Sequence, residues 1–235
     1  MPKLRDGSEV ADPRLARIPF FDVRSLGYAI ADLFDKDEPL RSYTWKCRQV
    51  LNQGSEGACV GFSMAHELIA QPKVIEGIDD TFALERIYWE AQKIDKWDGG
   101  AYPGAEPKMD GSSVLAGIKV LKALGYIDEY RWAFSIHDLA MAVGHMGPAI
   151  LGIPWYEGMF KPASCGCVHP TGKKSGGHAI LVRGVNVKRK TFTLHNSWGP
   201  GWGKNGTAKI TWDDLETLLK DGGEAVIPVV RRKAP

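Results

Sequence analysis

Apolar positions recur with a helical period in the first half of the chain and with a strand period in the second. Residues 58–71 place Met64, Leu68 and Ile69 at helical spacing, with Gly57 before the run and Pro72 after it, which predicts a helix. Residues 79–95 predict a second, capped by Asp80 or Thr81, with Leu84, Ile87, Tyr88 and Ala91 on one face. A third starts at Ser112 or Ser113, turns Leu115, Ile118 and Leu121 inward, and stops at Gly125. A fourth, "SIHDLAMAVGHMG", opens on Ser-x-x-Asp, close to a capping box. A long Gly/Pro loop, residues 96–111, lies between the second and third; loops of that length are often functional.

The later segments "PAILGIPWY", "HAILVRGVNV", "TFTLHNSW" and "TAKITW" are short, β-branched and aromatic, and are broken by Gly, Pro, Asn and Lys. "VNVKRKTFTL" predicts a hairpin. Helices followed by strands point to an α+β fold with two lobes, not to alternating βαβ units. Residues 1–45, rich in Pro, Asp and Arg, predict an extended N-terminal arm, with the aromatics of "RSYTWKC" anchoring its end on the core. Residues 46–133 then form a helical lobe and 134–235 a β-rich lobe.

Composition narrows the classes. The chain has 235 residues, 30 basic and 28 acidic. That near balance gives no electrostatic reason to expect nucleic acid as a partner. No apolar run approaches the roughly 18–20 residues of a membrane span, and the N-terminus lacks an apolar signal-peptide core. The expectation is a cytoplasmic monomer. Four cysteines are too few for a disulfide scaffold at this length.

Cys59 stands at the predicted start of the first helix. Unpaired N–H groups and the helix dipole there favour a thiolate, the nucleophilic form. Free cysteines are also commonly buried and inert, so position alone leaves both readings open. A reactive thiol needs a base. His66 is seven residues along the same helix, about 10 Å away at ~1.5 Å per residue, which is too far. His137 and His145 have no polar pattern around them. His178 follows Gly176 and Gly177, which allow close approach of another segment, at the mouth of an apolar strand. Asn196, on a neighbouring strand, can orient its ring; Trp198 can cover that contact. His195 precedes Asn196 and points to the opposite face. The amide of Gln53 and the Cys59 N–H could supply two oxyanion donors. Cys165, Cys167 and His169 are too closely spaced for a usual zinc site and lack a fourth ligand, so neither metal nor cofactor is expected.

"QGSEGAC", "GGHAILVRGV" and "NSWGPGWGKNG", in that order, resemble the papain-like (C1) cysteine peptidases. The resemblance covers residues 45–210. It implies the papain-like two-lobe fold, a β-barrel-like second lobe and a cleft between the lobes. It also implies a cysteine-type endopeptidase acting on peptide or protein substrates. Cys59 would be the nucleophile, His178 the general base and acid, Asn196 the orienting residue and Gln53 an oxyanion donor; Gly57, Gly177 and Trp198 would contact substrate. The thiol and imidazole would form an ion pair. The chain departs from the family where Glu56 replaces a disulfide cysteine and Val60 an aromatic, and where no Cys-Gly-Gly segment is present. Residues 1–45 are short for the usual propeptide. These departures resemble bacterial or bacteriophage members. Competing readings are a papain-like amidase or cell-wall peptide hydrolase, and an inactive peptide-binding homologue.

Overall fold

The structure, a computed structural model, describes residues 1–232. Four helices lie near their expected places: α1 Cys59–Leu68, α2 Trp89–Ile94, α3 Val114–Ala123 and α4 Ile136–His145. Their signals act as read. Ser113 accepts from the Ala116 N–H, Ser135 accepts from the Asp138 N–H, and Gly125 takes φ +77 where α3 stops. The second helix differs. Phe82–Tyr88 is π-helical and only Trp89–Ile94 is regular α. Its cap is Asp79, which accepts from the Phe82 N–H at 2.8 Å; Asp80 is turned to the Asn52 N–H instead.

The strands are β1 Tyr43–Thr44, β2 Tyr130–Trp132, β3 Ala149–Tyr156, β4 Lys174–Asn186, β5 Thr191–His195, β6 Thr207–Thr211 and β7 Glu224–Pro228. A fifth helix, α5 Trp212–Lys220, follows β6. All strand pairs are antiparallel, in the order β2-β7-β3-β4-β5-β6, with β1 on the far end of β4. The sheet is open, because β2 and β6 end the order without meeting. The α+β, two-lobe expectation holds, and the barrel-like part becomes an open sheet. Trp212, read as the end of a strand, begins α5 because Thr211 caps the Asp214 N–H.

Both faces of the central strands are covered. Ile150, Ala179, Leu181 and Val226 pack with α1 and α3, whereas Leu151, Ile180, Val182 and Ala225 pack with α4 and α5. This alternation is the period-2 geometry of a strand. It also explains the near-continuous apolar runs of β3 and β4, since neither face meets water. Each fully buried Ile or Leu contributes roughly 1.5–3 kcal/mol. The indole of Trp45 anchors the end of the arm, donating to the Val143 carbonyl at 2.7 Å.

The arm's earlier part runs between the two lobes. Ala16 bridges Gly177 of β4 and Arg17 bridges Ser112 at the foot of α3, both in parallel sense. The Arg17 N–H donates to Gly177 O at 3.1 Å. Ser112 N–H donates to Ala16 O at 3.2 Å, and Ile18 N–H to Ser112 O at 2.9 Å.

Candidate active site

Cys59 is the first residue of α1, as expected, and is fully buried. His178 lies inside β4, not at its mouth, because pairing with β3 extends the strand back to Lys174. Asn196 follows the end of β5 rather than lying on it. The two side chains nonetheless meet, with His178 Nε2 2.8 Å from Asn196 Oδ1 in a buried contact. That leaves His178 Nδ1 buried and without a hydrogen bond. An imidazole whose outer nitrogen is held this way has one tautomer-selecting contact and one nitrogen free for chemistry.

Aromatic rings enclose the imidazole. Trp155, fully buried on β3, lies 4.7 Å from it and Trp198 lies 4.9 Å from it, centroid to centroid. Phe160 stacks on Trp198 from outside at 5.6 Å. Trp198 therefore covers the His178–Asn196 contact, and Trp155 is a second wall that sequence reading missed. Its signal was a tryptophan on the strand paired with "GGH", visible only once β3 and β4 are in register.

Gln53 is tied to the same loop. Its N–H donates to Ser197 O at 2.8 Å, and its Oε1 accepts from Ser197 Oγ at 2.6 Å. Its Nε2 donates to Glu56 O at 2.7 Å and to Arg14 O at 3.3 Å. The amide is thus turned with its nitrogen toward the arm's backbone. The guanidinium of Arg14 lies 4.2 Å from the centroid of the Trp198 ring, a cation–π contact.

Both glycines expected at the substrate face touch the arm. A Cβ at Gly57 would stand 2.8 Å from the Ala16 Cβ and 2.6 Å from that of Asp110; one at Gly177 would stand 2.3 Å from Arg17 O. Only glycine permits that approach.

The charge state differs from the sequence expectation. Burial pushes the Cys59 thiol up to about 11, against the opposing N–H groups of Ala179, Ala16 and Val60. Burial, the largest cause, pulls His178 down to about 4, against the opposing effect of its bond to Asn196. Beneath the arm burial thus favours the neutral form of both thiol and imidazole, and no hydrogen bond joins them among the described residues. The helix-start field acts on Cys59 but loses to desolvation while the arm excludes water.

The remaining histidines and cysteines fall elsewhere. His66 is fully buried, accepts from the Leu51 N–H and packs edge-on against His195 at 4.5 Å. His195 turns to Gln49 O, away from Asn196. Cys165 is exposed, and a hydrogen bond from Cys167 lowers its thiol. His169 pairs with Asp214 at 2.8 Å. Among the described residues no three His, Cys, Asp or Glu side chains are grouped to hold a metal, and no helix is long and apolar enough to cross a membrane.

The sequence model of the family described as papain family cysteine protease matches residues 87–219. That span contains His178 and Asn196; Cys59 and Gln53 precede it. An uncharacterized peptidase C1-like protein of Acanthamoeba polyphaga mimivirus is 23% identical over 66% of this chain and 62% of its own length. Cathepsin B-like cysteine proteinase 4 of Caenorhabditis elegans is 35% identical over 27% of this chain and 20% of its own. The chain therefore spans about three-fifths of one relative and a fifth of the other. Xylellain, a cysteine protease from Xylella fastidiosa, is similar in fold, with a TM-score of 0.71 at 20% identity, covering 95% of this chain and 99% of that one.

Proposed function

The chain belongs to the papain family of cysteine proteases, and from that premise we propose that it hydrolyses peptide bonds through a thioester on Cys59. The buried His178–Asn196 bond of 2.8 Å, with Nδ1 left unpartnered, carries this reading. With the arm displaced, Nδ1 takes the thiol proton and the sulfur attacks a substrate carbonyl. The Gln53 amide and the Cys59 N–H donate to the oxyanion, the former at the place now taken by Arg14 O. The imidazolium protonates the leaving amine, and water then cleaves the thioester by the same proton path in reverse.

In the closed arrangement Cys59, His178 and Asn196 are fully buried, so residues 14–18 must leave before a peptide can enter. The substrate is a peptide or protein segment bound between Ser112 and Gly177. We extend the proposal to a bacterial or bacteriophage type acting as a monomer in the cytoplasm, which Glu56 supports by standing where relatives place a disulfide cysteine. The division at residues 45 and 133 belongs to the same proposal.

The test compares the wild-type chain with Cys59→Ala on a fluorescent protein substrate, and maps an epoxide probe by mass spectrometry after the arm is loosened. Loss of cleavage in Cys59→Ala, with a single probe adduct on Cys59, supports the reading. Persistent cleavage by Cys59→Ala would refute it.

A further inference from the structure

Cys165 and Cys167 play no part in the peptidase site, yet they stand one residue apart on a clamped turn. Gly166 N–H donates to Ala163 O at 2.8 Å and Ala163 N–H to Cys167 O at 2.8 Å, so the turn closes on itself. Strand β6 holds it from the side: Lys209 N–H donates to Gly166 O and Val168 N–H to Lys209 O, both at 2.8 Å. Val168 is fully buried and anchors the exit of the turn in the core. Gly166 has φ +77, which residues with a side chain rarely adopt, and a Cβ placed on it would meet nothing within 4 Å. The turn therefore brings two thiols together while its outer face stays open.

The side chains follow that geometry. Cys167 Sγ turns back over the turn and lies 3.9 Å from Cys165 O. Cys165 is exposed and Cys167 half-buried. Hydrogen bonds from the Cys167 thiol and its N–H lower the Cys165 thiol, and the Lys209 ammonium adds to them. Cys167 is raised, first by the same contact with Cys165 and then by burial. An accessible thiol of lowered pKa beside a second, more protonated one is the arrangement of an attacking and a resolving cysteine. The other two thiols, Cys47 and Cys59, are pushed up to about 11 by burial. Thiolate character is therefore concentrated at Cys165.

We propose that Cys165-Gly166-Cys167 is a redox-active dithiol that exchanges with small aliphatic disulfides of the glutathione class. The Cys165 thiolate attacks one sulfur of the disulfide, which forms a mixed disulfide on Cys165 and releases one thiolate. Cys167 then gives its proton to solvent, and its sulfur attacks Cys165 Sγ and expels the second thiolate. The protein dithiol loses two electrons and two protons; the small disulfide gains them and leaves as two thiols. The second step is intramolecular across a single residue, so it outruns a new encounter with a free thiol. The resulting bond lies at the surface, where excess thiol readily reduces it again. Cys59 takes no part, so this exchange is independent of peptide cleavage.

The test incubates the full wild-type chain with glutathione disulfide and no peptide substrate. The intact mass should fall by two hydrogens, peptide mapping should place a single Cys165–Cys167 link, and dithiothreitol should reverse it. Cys167→Ser should instead gain one glutathionyl group on Cys165 and keep it. Cys165→Ser should react at least tenfold more slowly than the wild type, because the remaining thiol is more protonated and less exposed. A wild-type chain that does not react, or that keeps a glutathionyl group on Cys165 without forming the link, overturns the proposal whether or not the variants fold. A link that joins Cys47 or Cys59 overturns it as well. Peptide cleavage is read separately through Cys59→Ala, so either activity can fail without the other.

Discussion

The carbonyl oxygen of Arg14 accepts from Gln53 Nε2 at 3.3 Å, so the arm's own backbone takes a hydrogen bond that a reacting carbonyl would need. The same amide is braced from its other end by Ser197 Oγ at 2.6 Å, which fixes which atom faces the arm. Removing the donor tests its role. Gln53→Ala is expected to lower kcat by roughly 10²–10³ while leaving KM much less changed. Stopped-time assays on the opened enzyme measure this; unchanged kcat would remove Gln53 from the mechanism.

Alkylation rates should report the arm. In the wild-type chain Cys165, exposed and lowered, reacts fastest with iodoacetamide, and Cys59, buried and pushed up to about 11, reacts slowest. Arg17→Ala leaves Glu224 buried without its partner, a penalty of about 3–5 kcal/mol on the closed state. The Cys59 rate should therefore rise at least tenfold while the Cys165 rate stays constant. Site-resolved mass spectrometry decides it, and an unchanged Cys59 rate would show that Arg17 does not hold the arm.

Stability should fall on the acid side. Burial lowers His178 and His195 to about 4, and His66 is lowered well below its ordinary value of 6.5 by burial and then by His195. A lowered folded pKa means that the unfolded chain binds protons first. Stability is thus complete above pH 6.5 and is lost as pH falls toward 4, by roughly 3 kcal/mol for each ring that moves to about 4. Urea midpoints at pH 7 and pH 4.5 measure the loss. On the alkaline side burial pushes Cys47 and Cys59 to about 11, so stability should fall again as pH rises above 9. A flat profile from pH 7 to 4.5 would contradict the neutral, buried histidines.

Trp155 supports the site through packing. It is fully buried and touches the His178 and Trp198 rings at 4.7 and 5.3 Å. Trp155→Ala should cost roughly 3–5 kcal/mol in chemical denaturation. A loss below about 1 kcal/mol would mean that the neighbouring aromatic rings collapse into the space.

Local signals were sufficient wherever a residue acts on its own neighbourhood. Ser113 and Ser135 cap the helices that follow them, Gly125 ends α3, and the β-branched and aromatic apolar runs of β3 and β4 make strands. The motif residues Gln53, His178 and Asn196 were legible because each stands in a distinctive short string, and the fold brings them together. Short β2 and β7 were missed. Both exist because they find a strand to pair with, β7 along β3 and β2 along β7, which is a tertiary and not a local signal. The π-helical turn at Phe82–Tyr88 was hidden by an ordinary helical composition.

The chain by itself thus determined the first four helices and strands β3 to β6, their α+β order and the chemistry available at Cys59, His178, Asn196 and Gln53. Tertiary structure alone decided that the arm lies in the cleft, that Arg17 meets Glu224 and that burial there favours the neutral thiol. Those outcomes depend on parallel bridges from Ala16 to Gly177 and from Arg17 to Ser112, and on an ion pair to a residue at the far end of the chain. No local period encodes such pairings, and a thiol's ionisation follows the water around it rather than its place in the sequence.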